Sequence, residues 1–170
     1  MKPLENIQHY KIVLASNSPR RQELLSGLNL GYTIRVLPGI DESYPDYLKG
    51  EEIPMYISRK KADAYRNTMG EDELIITADT VVYIHGKVLG KPKSLEEAKE
   101  MLRELSGNTH QVITGVCLTT RETQRTFSAM TQVTFDTLTE DEIEFYVKTY
   151  QPLDKAGAYG VQELSLIHIS

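Results

Sequence analysis

The sequence predicts an α/β fold with a mixed sheet, on three observations. First, apolar or alternating runs at residues 11–16, 32–37 and 74–84 are separated by stretches with helical spacing of apolar residues, the pattern of strands joined by helices. Second, residues 110–120 and 126–138 read as two long neighbouring strands, which add an antiparallel part. Third, no Pro/Gly/Ser-rich linker, repeat or low-complexity stretch interrupts the chain, so the reading is one domain over 1–163, followed by a short tail at 164–170.

The elements follow in order. Residues 11–16 form a short apolar run that predicts a buried strand, after which Ser18 and Pro19 read as the N-cap and first position of a helix. That helix carries Leu24, Leu25 and Leu28 and stops near Gly31. Residues 32–37 alternate, with Tyr32, Ile34 and Val36 on one face of a second strand. Pro38, Gly39, Pro45 and Gly50 mark a loop, and a helix over about 53–67 places Ile57, Lys61 and Ala64 on one face. The continuous apolar run at 74–78 is that of a central strand covered on both sides. Residues 81–84 continue it, and His85-Gly86-Lys87 turns into a short return strand. Ser94 with Glu97 and Thr139 with Glu142 are capping-box patterns that open two further helices. Gly107 is a C-terminal stop for the first of these.

Composition narrows the function classes. The 170 residues are 40% hydrophobic with a formal net charge of −5, which permits a core and argues against a strongly basic nucleic-acid binder. The one cysteine, Cys117, allows no intrachain disulfide and fits a reducing compartment. No run reaches the roughly 18–20 apolar residues of a membrane span, and the polar start lacks a signal-peptide core. The expected location is the cytoplasm, with no membrane and no nucleic-acid partner.

Four groups of residues carry chemistry. Ser16-Asn17-Ser18-Pro19-Arg20-Arg21 follows a strand and opens a helix, where free N–H groups favour anions. Two arginines in that first turn oppose the dipole, and a polyanionic ligand would overcome their repulsion. Two solvated surface arginines account for the same residues. Asp79, after the apolar run, is a general base or metal ligand, or an ordinary strand-end carboxylate bonded to loop N–H groups. Lys61 and Lys91 reach a site or simply meet water, although Pro92 restrains the backbone beside Lys91. In 154–162 small residues allow close backbone approach, and the Gln162 amide matches the N3–H and O4 edge of uracil or thymine. A solvated amide in a tight loop is the alternative. There is no GxGxxG, no Walker loop and no Cys/His set for zinc. Any metal is therefore expected to be a hard, oxygen-bound cation.

Taken together, LASNSPRRQELL (14–25), GIDE (39–42), KADA (61–64), ADTVV (78–82), GKP (90–92), LSGNTHQVITGV (105–116) and DKAGAYGVQ (154–162) resemble the Maf family of nucleoside triphosphate pyrophosphatases. The resemblance implies a fold of the Maf/inosine-triphosphatase type, a mixed, elongated sheet with flanking helices and a central cleft. It implies cleavage between the α- and β-phosphates with a divalent cation, Mg²⁺ or Mn²⁺, in a homodimer. Asp79 matches the family's proton acceptor. Arg20, Thr80 and Gln162 match positions tied to dTTP/UTP selectivity, and Ser16, Arg21, Glu42, Lys61 and Lys91 match other polar positions lining the site. Glu42 and Asp79 are the candidate metal ligands. Thr80 and the last motif favour the pyrimidine branch over the one acting on 7-methyl-GTP.

The implied activity is hydrolysis of dTTP and UTP to the monophosphate and pyrophosphate, removing non-canonical or excess nucleotides. The alternative is a nucleotide-binding regulator of cell division without significant turnover. Two effects on Asp79 oppose each other: a cationic pocket lowers its pKa, and the Glu42 carboxylate raises it. The resemblance stops near Glu163. Residues 164–170 do not resemble the family's continuation, so the expectation is a C-terminally truncated chain with an unrelated tail and an uncovered sheet edge.

Overall fold

The structure, a computed structural model, describes residues 9–159. Gln162 and the tail at 164–170 lie outside the described residues. The strands are β1 (Lys11–Leu14), β2 (Tyr32–Ile34), β3 (Glu73–Ile84), β4 (Lys87–Leu89), β5 (Thr109–Thr119) and β6 (Gln124–Thr134). The helices are α1 (Pro19–Gly27), α2 (Glu52–Tyr65), α3 (Leu95–Leu105) and α4 (Glu140–Tyr150). The sheet runs β2-β1-β3-β5-β6, with β4 also paired to β3. The pairs of β1 with β2 and with β3 are parallel, and that of β3 with β4 is antiparallel. The mixed sheet is the predicted one.

The chain divides into two compact units. One comprises residues 9–79 and 114–128, the other 80–113 and 129–159. All three boundaries fall inside strands, because β3, β5 and β6 each contribute residues to both units.

In the first unit, β1 and the start of β3 bury apolar residues on both faces. Val13 and Ile75 pack with Tyr65 and Met69, while Ile12 and Leu14 pack with Leu25. Of the three leucines predicted for α1, only Leu25 is buried; Leu24 and Leu28 are exposed. The helix is short and touches the sheet along a single line, so neighbours one residue or one turn away face water. Ile34 and Val36 are exposed as well. Two contacts fix α2. The Thr77 hydroxyl donates to the Ser58 carbonyl at 2.7 Å. Gly115 of β5 lies so close to the helix backbone that a Cβ there would sit 2.6 Å from the Met55 nitrogen, so only glycine permits this approach.

In the second unit, α3 and α4 pack over a core containing Val82, Leu102, Leu105, Phe135, Tyr146 and Tyr159. Their starts are capped as the sequence predicts. The Ser94 hydroxyl accepts from the Glu97 N–H, and Thr139 with Glu142 forms the full reciprocal box. Each such cap contributes about 1 kcal/mol. Gly107 has φ +68 just past α3, as a C-terminal stop requires. No helix among the described residues is long and apolar enough to cross a membrane.

Candidate active site

The site in the first unit is organised by a gap in the sheet. Strand β1 pairs with β3 only as far as Ile76, and β4 pairs with it only from Val82 onward. Neither strand pairs residues 77–81, which leaves the Ala78 carbonyl available to side chains. Lys61 Nζ donates to it at 3.0 Å and Arg21 Nη1 at 3.3 Å. Asp79 is thus not a strand-end carboxylate but lies inside the long strand β3, which runs on through 81–84 as the sequence predicts. The strand continues because its hydrophobic pattern resumes at Val81 and Val82, both buried.

Lys61 links the acidic residues. Its Nζ lies 3.1 Å from Glu42 Oε1 and 3.5 Å from Asp79 Oδ1. The Lys61 and Asp79 side chains are only 16% and 14% exposed, whereas that of Glu42 is 49% exposed. Asp79 Oδ2 is buried without a hydrogen-bond partner among the described residues. Such an atom is rare in folded proteins and calls for an explanation. Burial pushes the Asp79 carboxyl above its ordinary value of 3.8; Lys61 and Arg21 pull it down and Glu42 adds to the rise. Burial also lowers the Arg21 guanidinium, against the pull of Asp79 and Glu42. Of the opposing effects expected on Asp79, neither neighbour dominates; removal from water does.

The start of α1 is as predicted. Ser18 caps it by accepting from the Arg21 N–H at 3.4 Å, Pro19 opens it, and its first turn holds no acidic residue. Ser16 accepts from the Ser18 N–H at 3.0 Å, and the Gln22 amide donates to the Ser16 carbonyl. Arg20 is exposed beside the half-buried Arg21. The first unit therefore brings together Arg21, Glu42, Lys61 and Asp79, with Ser16 at the start of α1. Thr80, the next residue of β3, and Lys91, exposed in the loop after β4, belong to the second unit.

Sequence reasoning missed a clasp on the loop that carries Glu42. Lys60 Nζ bonds Asp41 Oδ2 at 3.1 Å, the Ser43 carbonyl at 3.0 Å and the Ser43 hydroxyl at 3.2 Å. The Ser43 backbone N–H, its hydroxyl and Lys60 hold the Asp41 carboxyl down at about 2. The signal was present as two doublets, Asp41-Glu42 and Lys60-Lys61, of opposite charge. Ala64, predicted to share Lys61's face, is exposed, and Ala62 is buried instead.

Two hard carboxylates, one with an unpartnered buried oxygen, suit a hard divalent cation. No group of three or more His, Cys, Asp or Glu side chains gathers among the described residues. A cation held here would therefore take most of its oxygens from water and a phosphate ligand, as Mg²⁺ commonly does.

Known proteins bear on this site. The family model described as "Maf-like protein" matches residues 11–170. A relative from Phocaeicola vulgatus named "dTTP/UTP pyrophosphatase" is 63% identical over 160 residues, 94% of this chain and 83% of the relative. One of the same name from Bacteroides thetaiotaomicron is 64% identical over the same shares. Among solved structures, a HAM1 protein from Coxiella burnetii matches with a TM-score of 0.50 at 16% identity, over 93% of this chain and 91% of that one. The Staphylococcus aureus Ham1 protein matches with a TM-score of 0.50 at 16% identity, over 73% and 71%. At that identity these structures speak to the fold alone, and it is the predicted mixed α/β type. By the family model and by relatives this similar over most of its length, the chain belongs to the Maf family.

Proposed function

We propose that this chain hydrolyses the pyrimidine nucleoside triphosphates dTTP and UTP to the monophosphate and pyrophosphate. The observation that carries the reading is the Asp79 carboxylate, buried with one oxygen unpartnered among the described residues and held beside Lys61. A fold maintains such a group at a cost of roughly 1–3 kcal/mol or more, and perturbed carboxylates cluster at functional sites. The names of the relatives at 63% and 64% identity supply the substrate class.

In this reading Asp79 takes the proton of the attacking water. The new bond joins that water's oxygen to phosphorus, and the α–β anhydride bond breaks as pyrophosphate leaves with its electron pair. Arg20, Arg21, Lys61 and Lys91 neutralise the phosphate oxygens, whose charge shifts toward the leaving group. Ser16 and the open N-terminus of α1 add neutral donors. Glu42 and Asp79 would hold the divalent cation, Mg²⁺ or Mn²⁺. When bound, it supplies charge neutralisation and polarises a phosphoryl oxygen. Arg20, Thr80 and the Gln162 amide select the pyrimidine base. The enzyme acts in the cytoplasm, as a homodimer when full length, and removes non-canonical or excess nucleotides. The buried base speaks against a pure nucleotide-binding regulator, because binding alone does not need an ionisable carboxylate set among phosphates.

The test is pyrophosphate release from dTTP, UTP, CTP, dATP, GTP and 7-methyl-GTP with Mg²⁺ or Mn²⁺. Turnover confined to dTTP and UTP is expected. Preference for 7-methyl-GTP, or binding of dTTP without pyrophosphate release, would overturn the assignment.

A further inference from the structure

The core of the second unit contains a polar pair that the proposed chemistry does not use. His110 is 2% exposed and Tyr159 7% exposed, and His110 Nε2 shares a hydrogen bond with the Tyr159 hydroxyl. Both rings meet Phe135 edge-on, with centroids 5.1 Å and 5.0 Å away. Burial keeps both groups neutral, with His110 lowered to about 4 and the Tyr159 hydroxyl raised above its ordinary value. His110 Nδ1 is buried with no partner among the described residues. A half-satisfied polar pair is a poorer source of stability than an apolar core of the same shape. Its retention points to geometry.

The geometry it sets is that of the loop before it. Gly157 and Ala158 both have positive φ, 69° and 65°. For alanine that conformation is strained, and it persists only where the surroundings impose it. Gly157 lies against Val82 of β3, so closely that a Cβ would sit 2.8 Å from Val82 Cγ2. The Gly157 N–H donates to the Gly90 carbonyl at 3.1 Å. Gly90 precedes Lys91, and Pro92 on its other side is buried. The loop is thus fastened at Val82, at Gly90 and, through Tyr159, at His110. An exposed Lys91 is carried between two anchored neighbours.

We propose that His110 and Tyr159 are positioning residues whose buried hydrogen bond holds the 155–159 loop on β3 and thereby fixes Lys91 for the nucleotide's phosphates. This rests on the pyrophosphatase reading, in which Lys91 contacts phosphate. The residues holding Asp79 are untouched by the pair, so its loss acts on nucleotide affinity more than on the chemical step.

The experiment is a double-mutant cycle of Tyr159→Phe with Lys91→Met. It reads KM and kcat for dTTP and the Kd of a non-hydrolysable α,β-imido dTTP. Tyr159→Phe keeps the ring, and its KM and Kd are expected to rise about fivefold, the effect of one neutral hydrogen bond, with kcat little changed. In the Lys91→Met background Tyr159→Phe should add almost nothing. If Tyr159→Phe is too unstable to assay, His110→Phe/Tyr159→Phe, which removes both polar partners, takes its place in the cycle. Unchanged KM and Kd, or effects that simply add, would overturn the proposal and leave the pair a packing feature. If the wild type binds the analogue but releases no pyrophosphate, the pyrophosphatase reading fails while the Kd cycle still decides the role of the pair. If it binds no nucleotide, both fall.

Discussion

Strand β3 carries two acidic residues with cationic partners, and the fold treats them in opposite ways. At its start, Glu73 meets Arg35 through two hydrogen bonds, 2.9 Å and 2.7 Å long. The bond from Arg35 is the main cause of a lowered Glu73 pKa, and the same pair raises Arg35. Each partner stabilises the charge of the other. Further along, Asp79 meets Lys61 at 3.5 Å with one oxygen while its other oxygen is buried without a partner among the described residues. Here burial outweighs the cations and the carboxyl is raised. The planar fork of arginine satisfies both oxygens of a carboxylate, whereas a lysine approaches as a point charge and leaves one open. One pair is a fastening. The other keeps a carboxylate under-satisfied, as a base awaiting a water or a cation requires.

The largest effect that sharpens this contrast is expected at Lys61. Lys61→Met removes a side chain that touches both Glu42 and Asp79, and kcat/KM for dTTP should fall about 10²-fold or more, the usual cost of losing a charge-stabilising group. Arg35→Met should leave steady-state kinetics unchanged, and a wild-type-like rate for both variants would erase the distinction.

Next comes the response to pH. The proposed base works only when ionised, so activity should rise with pH through an acid limb lying above the ordinary carboxylate value of 3.8. A divalent cation at Glu42 and Asp79 competes with the proton. Raising Mg²⁺ from limiting to saturating should therefore move the limb to lower pH. An acid limb that ignores Mg²⁺ in kcat/KM profiles would separate Asp79 from the metal.

The smallest effect is on stability at the other pair. A lowered Glu73 pKa means that the folded state holds its proton less tightly than the unfolded chain, so its contribution is present above the ordinary value of 4.5 and is lost as pH falls through the folded pKa. Glu73→Gln should lower Tm at neutral pH by an amount corresponding to about 1 kcal/mol or less, as for a partly exposed ion pair. The difference should vanish in acid, and a pH-independent loss would point to packing instead.

Much of this was legible in the sequence. Ser18-Pro19, Ser94 and Thr139 act locally, so their caps are where the sequence places them. Of the residues gathered around Lys61, Arg21 and Asp79 were named from local chemistry, and Glu42 only from the family resemblance. What was not legible depends on pairing and depth. The stretch of β3 paired by neither β1 nor β4 is set by where β1 stops and β4 begins, which no single segment encodes. The direction of the Asp79 pKa depends on burial, which only the packed structure sets. The division into two units leaves no linker to read, because it falls within β3, β5 and β6.

The most direct test of the central claim is Asp79→Asn, measured for dTTP hydrolysis and for Tm without nucleotide across pH. A raised folded pKa means that ionised Asp79 costs stability above that value, while below the unfolded pKa the cost is absent. The expected result is loss of turnover by about 10²–10⁴-fold, with a Tm equal to or above that of the wild type at neutral pH and a gain that fades in acid. A folded Asp79→Asn protein that hydrolyses dTTP at the wild-type rate would contradict the account.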